Sequence, residues 1–156
     1  MSVDVAGSQQ GAARILSGLL EARTGQTLSE GRAWRMETAL RPVLRTHGLE
    51  DMEALAAKLL RKTDAALEKA VIEALLNNES SFFRDLQLFD MLQGQILPHL
   101  HETRPNRVLR IWSAGCSTGQ EVYSLAIQLR NAWSRWNGWQ IEILATDISA
   151  RAIEQA

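Results

Sequence analysis

The chain has 156 residues, 46% hydrophobic and 22% charged, with a formal net charge of −1, which is room for one globular domain or two small ones of ordinary composition. It holds no run of about 18 apolar residues, so no spanning helix. Its start, MSVDVAGSQQ, lacks the basic flank and apolar stretch of a secretory signal, and a single cysteine excludes an internal disulfide framework and a cysteine-built structural zinc site. A reducing, cytoplasmic setting fits. Ten basic and ten acidic side chains lie in residues 1–76, seven and eight in 77–156. That balance argues against a protein that wraps nucleic acid and leaves electrostatic recognition to local patches.

Residues 11–76 read as helices. Ile15, Leu16, Leu19 and Leu20 recur at helical spacing until Thr24-Gly25. A second helix is expected from about Ser29 to Thr46, with Met36, Ala39, Leu40, Val43 and Leu44 as its apolar face, Gly48 as its stop, and Pro42 predicting a kink or a break. A third carries Met52, Leu55, Leu59 and Leu60. A fourth follows Asp64, a plausible N-cap, with Leu67, Val71 and Leu75 on one stripe. Asn77-Asn78 breaks it, and helical spacing resumes from Phe82 to Leu97. HLHETRPN, set off by Pro98 and Pro105, reads as a polar connector.

Then the pattern changes. Val108 to Trp112 is a short apolar run of the kind that makes a buried strand. A glycine loop follows, Ser113-Ala114-Gly115-Cys116-Ser117-Thr118-Gly119, and then a helix from about Gln120 to Trp133 with Val122, Leu125, Ala126 and Leu129. SRWNG is a turn, Trp139 to Ala145 a second strand, and Ser149 a cap for another helix. This order implies a parallel sheet with right-handed crossovers. Two strands are fewer than a doubly wound sheet needs, so the chain reads as ending mid-domain. The expected division is a helical domain over 10–76, a linker helix and connector over 77–106, and the beginning of a nucleotide-binding domain over 107–156.

A glycine loop between strand and helix lets backbone approach a ligand closely, and the N–H groups of the helix start can face a polar or anionic group. Asp147, at the end of the second strand, sits where nucleotide-binding folds place a carboxylate on the ribose hydroxyls. The loop alone is also compatible with a tight packing turn, the less favoured reading. It is not G-x-G-x-x-G, which disfavours a nicotinamide-dependent oxidoreductase, and no G-K-[ST] follows. A second constellation, Asn78-Glu79-Ser80-Ser81-Phe82-Phe83-Arg84-Asp85, is at its plainest a polar break, a helix cap and two phenylalanines buried in a core. Ser80 and Arg84, about one turn apart, could also face one ligand.

These two segments resemble the CheR-type methyltransferases of bacterial chemotaxis. The N-x-[ST]-x-F-F-R signature is matched by Asn78, Ser80, Phe82, Phe83 and Arg84, and W-S-A-G-C-S-x-G-x-E-x-Y-S by Trp112 through Gly119 with Glu121, Tyr123 and Ser124. Asp147-Ile148 matches the family's D-I after the second strand, and the helical leader with Thr24-Gly25 looks like its N-terminal domain. Val122 stands where the family commonly has proline. Ser113 stands where many other methyltransferases have an acid, though serine is usual in this family.

The resemblance implies an α/β protein: an all-α N-terminal domain followed by the first half of a Rossmann-like class I methyltransferase domain. It implies S-adenosylmethionine as methyl donor, S-adenosylhomocysteine as product, and glutamate side chains on the cytoplasmic helices of methyl-accepting chemoreceptors as acceptors, with no metal and no membrane insertion. Arg84 is the residue assigned to catalysis, by pairing with the methionine carboxylate of the donor. Ser80 would donate beside it, Asn78 would shape the turn, Glu121 would take the ammonium group, Asp147 the ribose, and Ala114 and Gly115 would touch the cofactor through backbone. Glu121 also reads simply as an exposed carboxylate favoured by a helix N-terminus. Cys116 reads as a small packing residue, with no histidine near it in sequence. His47, His99 and His101 read as surface or loop residues, and Trp133, Trp136 and Trp139 as packing helix on sheet. Arg35, Arg41 and Arg45, placed on one face with Trp34, would approach the acidic receptor helices, or form a solvated basic face. A non-catalytic cofactor-binding or scaffolding module of the same fold is the competing class.

Overall fold

The computed structural model describes residues 3–28, 33–61 and 63–156, with side chains from residue 10 onward and, in the second helix, from residue 35. The chain divides into two compact units, 1–77 and 78–156. Among the described residues no helix is long and apolar enough to cross a membrane.

The first unit is all helix: α1 (Val3–Thr24), α2 (Ala33–Thr46), α3 (Met52–Leu60) and α4 (Ala65–Leu75). One apolar stripe from each builds its core, with Leu16 and Leu20, Met36, Leu40 and Val43, Leu55, and Leu67, Val71 and Leu75 all buried. Leu60, expected on that stripe, is 63% exposed, because it ends α3 one residue past the core-facing Leu59. Asp51 and Asp64 cap α3 and α4, each accepting the backbone N–H three residues on, at 2.8 Å and 2.9 Å. The expected start of the second helix at Ser29, and the side chain of Trp34, lie outside the described residues. Within them α2 runs unbroken through Pro42. Pro42 and Thr38, whose carbonyl loses its donor, are both exposed, so that carbonyl can be hydrated without breaking the helix.

The Leu67 N–H bond, chiefly, holds the Asp64 carboxyl below its ordinary value of 3.8, with the nearby Lys58 and His47 adding to it against partial desolvation. A depressed folded-state pKa stabilises above the unfolded value and loses that contribution as pH falls through the folded one. Asp64→Asn, which keeps a capping oxygen, is therefore expected to leave stability at pH 7 nearly unchanged and to flatten its fall below about pH 4. Urea unfolding followed by circular dichroism across pH 2.5–7 measures both.

The second unit is α/β: α5 (Leu86–Met91), a π-helical turn (Leu92–Ile96), α6 (Leu97–Thr103), β1 (Val108–Ala114), α7 (Gln120–Asn131), α8 (Trp133–Trp136), β2 (Gln140–Thr146) and α9 (Ala150–Gln155). The two strands pair in parallel, from Val108 against Gln140 to Ala114 against Thr146, joined through α7 as a crossover connection requires. One sheet face is half-buried: Leu109, Ile111, Ile141 and Ile143 meet Leu97, Leu129 and Trp136. The other carries the Arg110–Glu142 ion pair at 2.7 Å, with Trp112 67% and Leu144 61% exposed. With its all-helical first part and parallel strands after it, the chain has the expected fold class.

Several expectations change in this unit. Residues 82–85 form a turn, and the helix starts at Leu86, capped by Asp85. It then continues through HLHET to Thr103, where a connector was expected. Pro98 has no N–H and its ring crowds the carbonyl four residues back. The preceding turn widens to i→i+5 bonding, with the Leu97 N–H on the Leu92 carbonyl, and accommodates it. Phe82 is not a core residue but 56% exposed, while Phe83 is half-buried and meets Phe89 edge-on at 5.1 Å. SRWNG contains a helical turn, α8, before Gly138. Trp136 and Trp139 pack as expected, but Trp133 is 53% exposed and lies under the Arg130 guanidinium. His101 lies in α6 rather than a loop, half-buried and stacked on Trp139 at 5.0 Å.

Candidate functional site

The carboxyl ends of parallel strands are where open α/β sheets place ligands, and here the glycine loop leaves β1. Gly115 and Cys116 both donate their N–H groups to the Thr146 carbonyl at the end of β2, at 2.7 Å and 3.0 Å. Ser117 takes the left-handed conformation, φ +51°, an uncommon one for a residue with a Cβ. Gly119 caps α7 at φ +91°, where an added Cβ would stand 3.3 Å from the Tyr123 ring.

Ser117 is held by a closed ring of hydrogen bonds through four residues. Its hydroxyl donates to the Asn78 carbonyl at 2.6 Å, and its N–H to Asp147 Oδ2 at 2.8 Å. Asp147 Oδ1 accepts the Ser149 N–H at 2.8 Å, and Ser149 Oγ meets Asn78 Nδ2 at 3.3 Å. Ser149 also caps α9 through the Ala152 N–H. Three segments distant in sequence are thereby fixed to one another. Asp147, expected on a ribose, has one contact on each oxygen from this ring. A carboxylate has roughly four acceptor positions, so two such contacts do not exhaust it.

Beside the loop lies an open cleft of about 610 Å³, within the range of small-ligand sites. Of the residues singled out in the sequence, Ser80, Arg84, Gly115 and Glu121 line it; Asn78, Ala114 and Asp147 do not. Arg84 stands on the turn before α5, where its guanidinium donates to the Glu79 carbonyl. Glu121 projects from the first turn of α7 and accepts from the buried Ser113 hydroxyl at 2.7 Å. Ser113, at the end of β1, thus aims an acid carried by the next helix. The cleft is lined by one cation, Arg84, and three carboxylates, Glu79, Asp85 and Glu121. Asp85 is engaged in capping α5, and Glu121 is the one that stands beside the loop backbone at the strand end, where with Arg84 it forms a donor set that fits a zwitterion joined to a nucleoside.

Cys116 also lines the cleft but is only 2% exposed. Burial first, and then the negative Asp147, push its thiol above its ordinary value, the opposite of what activates a nucleophile. Iodoacetamide at pH 7.5 is expected to leave it unmodified in the folded protein and to alkylate it in denaturant, as mass spectrometry would report. Among the described residues no three His, Cys, Asp or Glu groups are placed to hold a metal ion.

On α2, Arg35, Arg41 and Arg45 are all exposed, but they do not share one face. At about 100° per residue Arg41 and Arg45 lie close together, whereas Arg35 is turned about 80° from Arg45. Arg35 instead lines a shallow hollow of the helical unit with Leu28, Met36 and Ala39. From the sequence, Ser149 was expected only as a helix cap and Ser113 and Ser117 only as members of the loop motif; their bonds to Glu121, Asn78 and Asp147 were not foreseen. Their only signal was a density of small hydroxyl residues at strand and helix ends, where side chains bond to backbone.

Residues 78–156 match the family model described as "CheR methyltransferase, SAM binding domain". Similar curated proteins include chemotaxis protein methyltransferase Cher2 of Pseudomonas putida, 30% identical over 83% of this chain and 48% of the relative. A chemotaxis protein methyltransferase of Borreliella burgdorferi is 34% identical over 85% and 48%. One of Listeria monocytogenes is 41% identical over 61% and 35%. The chain spans about half the length of the first two. Motifs, parallel strands and the match over residues 78–156 together make this chain a member of the CheR methyltransferase family.

Proposed function

We propose that the second unit binds S-adenosylmethionine in the cleft beside the glycine loop, and that the protein transfers the methyl group to glutamate side chains on cytoplasmic helices of methyl-accepting chemoreceptors. The observation that carries this reading is the pairing of Arg84 with Glu121 in one cleft at the carboxyl end of β1. Arg84 pairs with the carboxylate of the methionine moiety, since a guanidinium fork matches a carboxylate. Ser80 donates beside it, and Glu121, aimed by Ser113, takes the ammonium group. Gly115 offers its backbone surface, with Ala114 behind it, and Asp147 turns its remaining acceptor positions to the ribose. Asn78 acts through the ring that fixes Ser117.

S-adenosylmethionine, when bound, supplies a methyl group on a cationic sulfonium. The acceptor carboxylate is already ionised at neutral pH, its ordinary pKa being about 4.3, so the chain needs no general base. Its residues contribute by holding the reacting atoms in line and excluding water. In this reading Arg41 and Arg45 steer acidic receptor helices toward the first unit, an attraction that weakens with salt. The protein acts in the cytoplasm.

Incubating the protein with methyl-labelled donor and the receptor's cytoplasmic helices tests the activity. The expected product is base-labile label on glutamates, the behaviour of methyl esters. Donor binding with no transfer to any receptor would instead support a non-catalytic module of this fold.

A further inference from the structure

Ser124, in the second turn of α7, has no place in the reading above. It is fully buried at 0% exposure and does not line the cleft. Its hydroxyl accepts the Phe83 N–H at 2.9 Å and donates to the Gln120 carbonyl at 2.6 Å. Phe83 is immediately followed by Arg84, and Gln120 by Glu121. That hydroxyl therefore ties the backbone just before Arg84 to α7, the helix that carries Glu121; its bond to the Gln120 carbonyl, four residues back in the same helix, orients it to accept. Phe83 is held at φ +50°, a conformation disfavoured for a bulky residue and maintained only by its surroundings. The Ser124 bond and the edge-on Phe89 ring are contacts it makes there. A hydroxyl accepts and donates through one small atom, as this fully buried position requires; alanine would make neither bond.

We propose that Ser124 is a positioning residue that sets the spacing between Arg84 and Glu121, and so governs affinity for the amino-acid end of the ligand while leaving the nucleoside end alone. This rests on the methyl-donor reading of the cleft. The nucleoside end depends on the loop and Asp147, which the Asn78–Ser117–Asp147–Ser149 ring holds independently of Ser124.

The test is calorimetric titration of the intact protein and its Ser124→Ala and Ser124→Thr variants with two probes. S-adenosylhomocysteine carries the amino-acid end and 5′-methylthioadenosine lacks it. Ser124→Ala is expected to weaken the first about tenfold, the equivalent of one displaced charge-bearing contact, and the second by less than about twofold. Ser124→Thr, which keeps the hydroxyl, recovers most of the loss. Equal losses for both probes, or no loss for either, would overturn the proposal while leaving the methyl-donor reading intact. Failure of the unsubstituted protein to bind S-adenosylhomocysteine would overturn that reading, and this proposal with it. Should Ser124→Ala not fold, Ser124→Cys, similar in volume and a weaker hydrogen-bonding group, is expected to show the same selective loss; an unselective loss there is equally contradictory.

Discussion

Arg84→Ala is expected to weaken S-adenosylhomocysteine binding by about ten- to a hundredfold while leaving the fold intact. The side chain is exposed on the turn before α5 and carries no buried packing, so its removal leaves no cavity. In the proposed reading it removes the guanidinium that pairs with the ligand's carboxylate, and hydrogen bonds to charged groups are each worth about 1.5–3 kcal/mol, which is that range of affinity. Arg84→Lys is expected to recover only part of the loss, because an ammonium keeps the charge but lacks the planar fork. Calorimetric titration reads both variants, with thermal unfolding as the control for folding. An unchanged dissociation constant for Arg84→Ala would remove this residue from the site.

The largest stability loss is expected from Trp136→Ala. Trp136 is 1% exposed and packs with Leu97, Leu109 and Leu129. Its ring meets Trp139 edge-on at 4.9 Å and the His101 imidazole at 5.5 Å. Removing a buried tryptophan eliminates apolar burial and leaves a cavity that its neighbours fill only in part, a cost of about 3–5 kcal/mol. Native protein domains are stable by about 5–15 kcal/mol in all, so the variant loses a large share of the margin. Trp136→Phe keeps part of the volume and is expected to lose roughly half as much. Denaturant unfolding monitored by far-ultraviolet circular dichroism measures both. A loss under about 1 kcal/mol for Trp136→Ala would show that α8 is not part of the core of the second unit.

What could be read from the sequence was what local chemistry decides. Asp64 and Ser149 cap helices because an acceptor side chain lies three residues before an otherwise orphan N–H, and both were legible as such. The strand Val108–Trp112, the glycine loop and the second strand followed from an apolar run, a break and an alternation. The stripe of Leu67, Val71 and Leu75 was equally plain. Where a local rule met tertiary context, it gave way. Pro42 does not break α2, and it lies with Thr38, whose carbonyl it deprives, among the helix's exposed residues, where water can replace the lost donor. Phe82 looked like core and is not, since the turn around Phe83 sends the two rings different ways. The connector HLHET is helical because Pro98 needed only one widened turn before it.

The site was legible in composition more than in arrangement. Arg84, Ser80, Gly115 and Glu121 were singled out from motifs, and they line one cleft. How they are held could not be read, because the contacts span 39 residues from Asn78 to Ser117, 71 from Asn78 to Ser149, and 41 from Phe83 to Ser124. No periodicity or local propensity encodes such pairs. The role of Ser113 depended on knowing that α7 turns Glu121 back over β1. That Asp147 clamps the loop depended on β1 and β2 being adjacent and in register.

The measurement that bears most directly on the methyl-donor site is titration of the folded protein with S-adenosylhomocysteine, with a nicotinamide dinucleotide as competitor. The expected result is saturable binding at one site per chain, undisturbed by the dinucleotide and weakened by Arg84→Ala and by Glu121→Ala. No binding by folded protein, or displacement by the dinucleotide with both variants behaving as wild type, would contradict it.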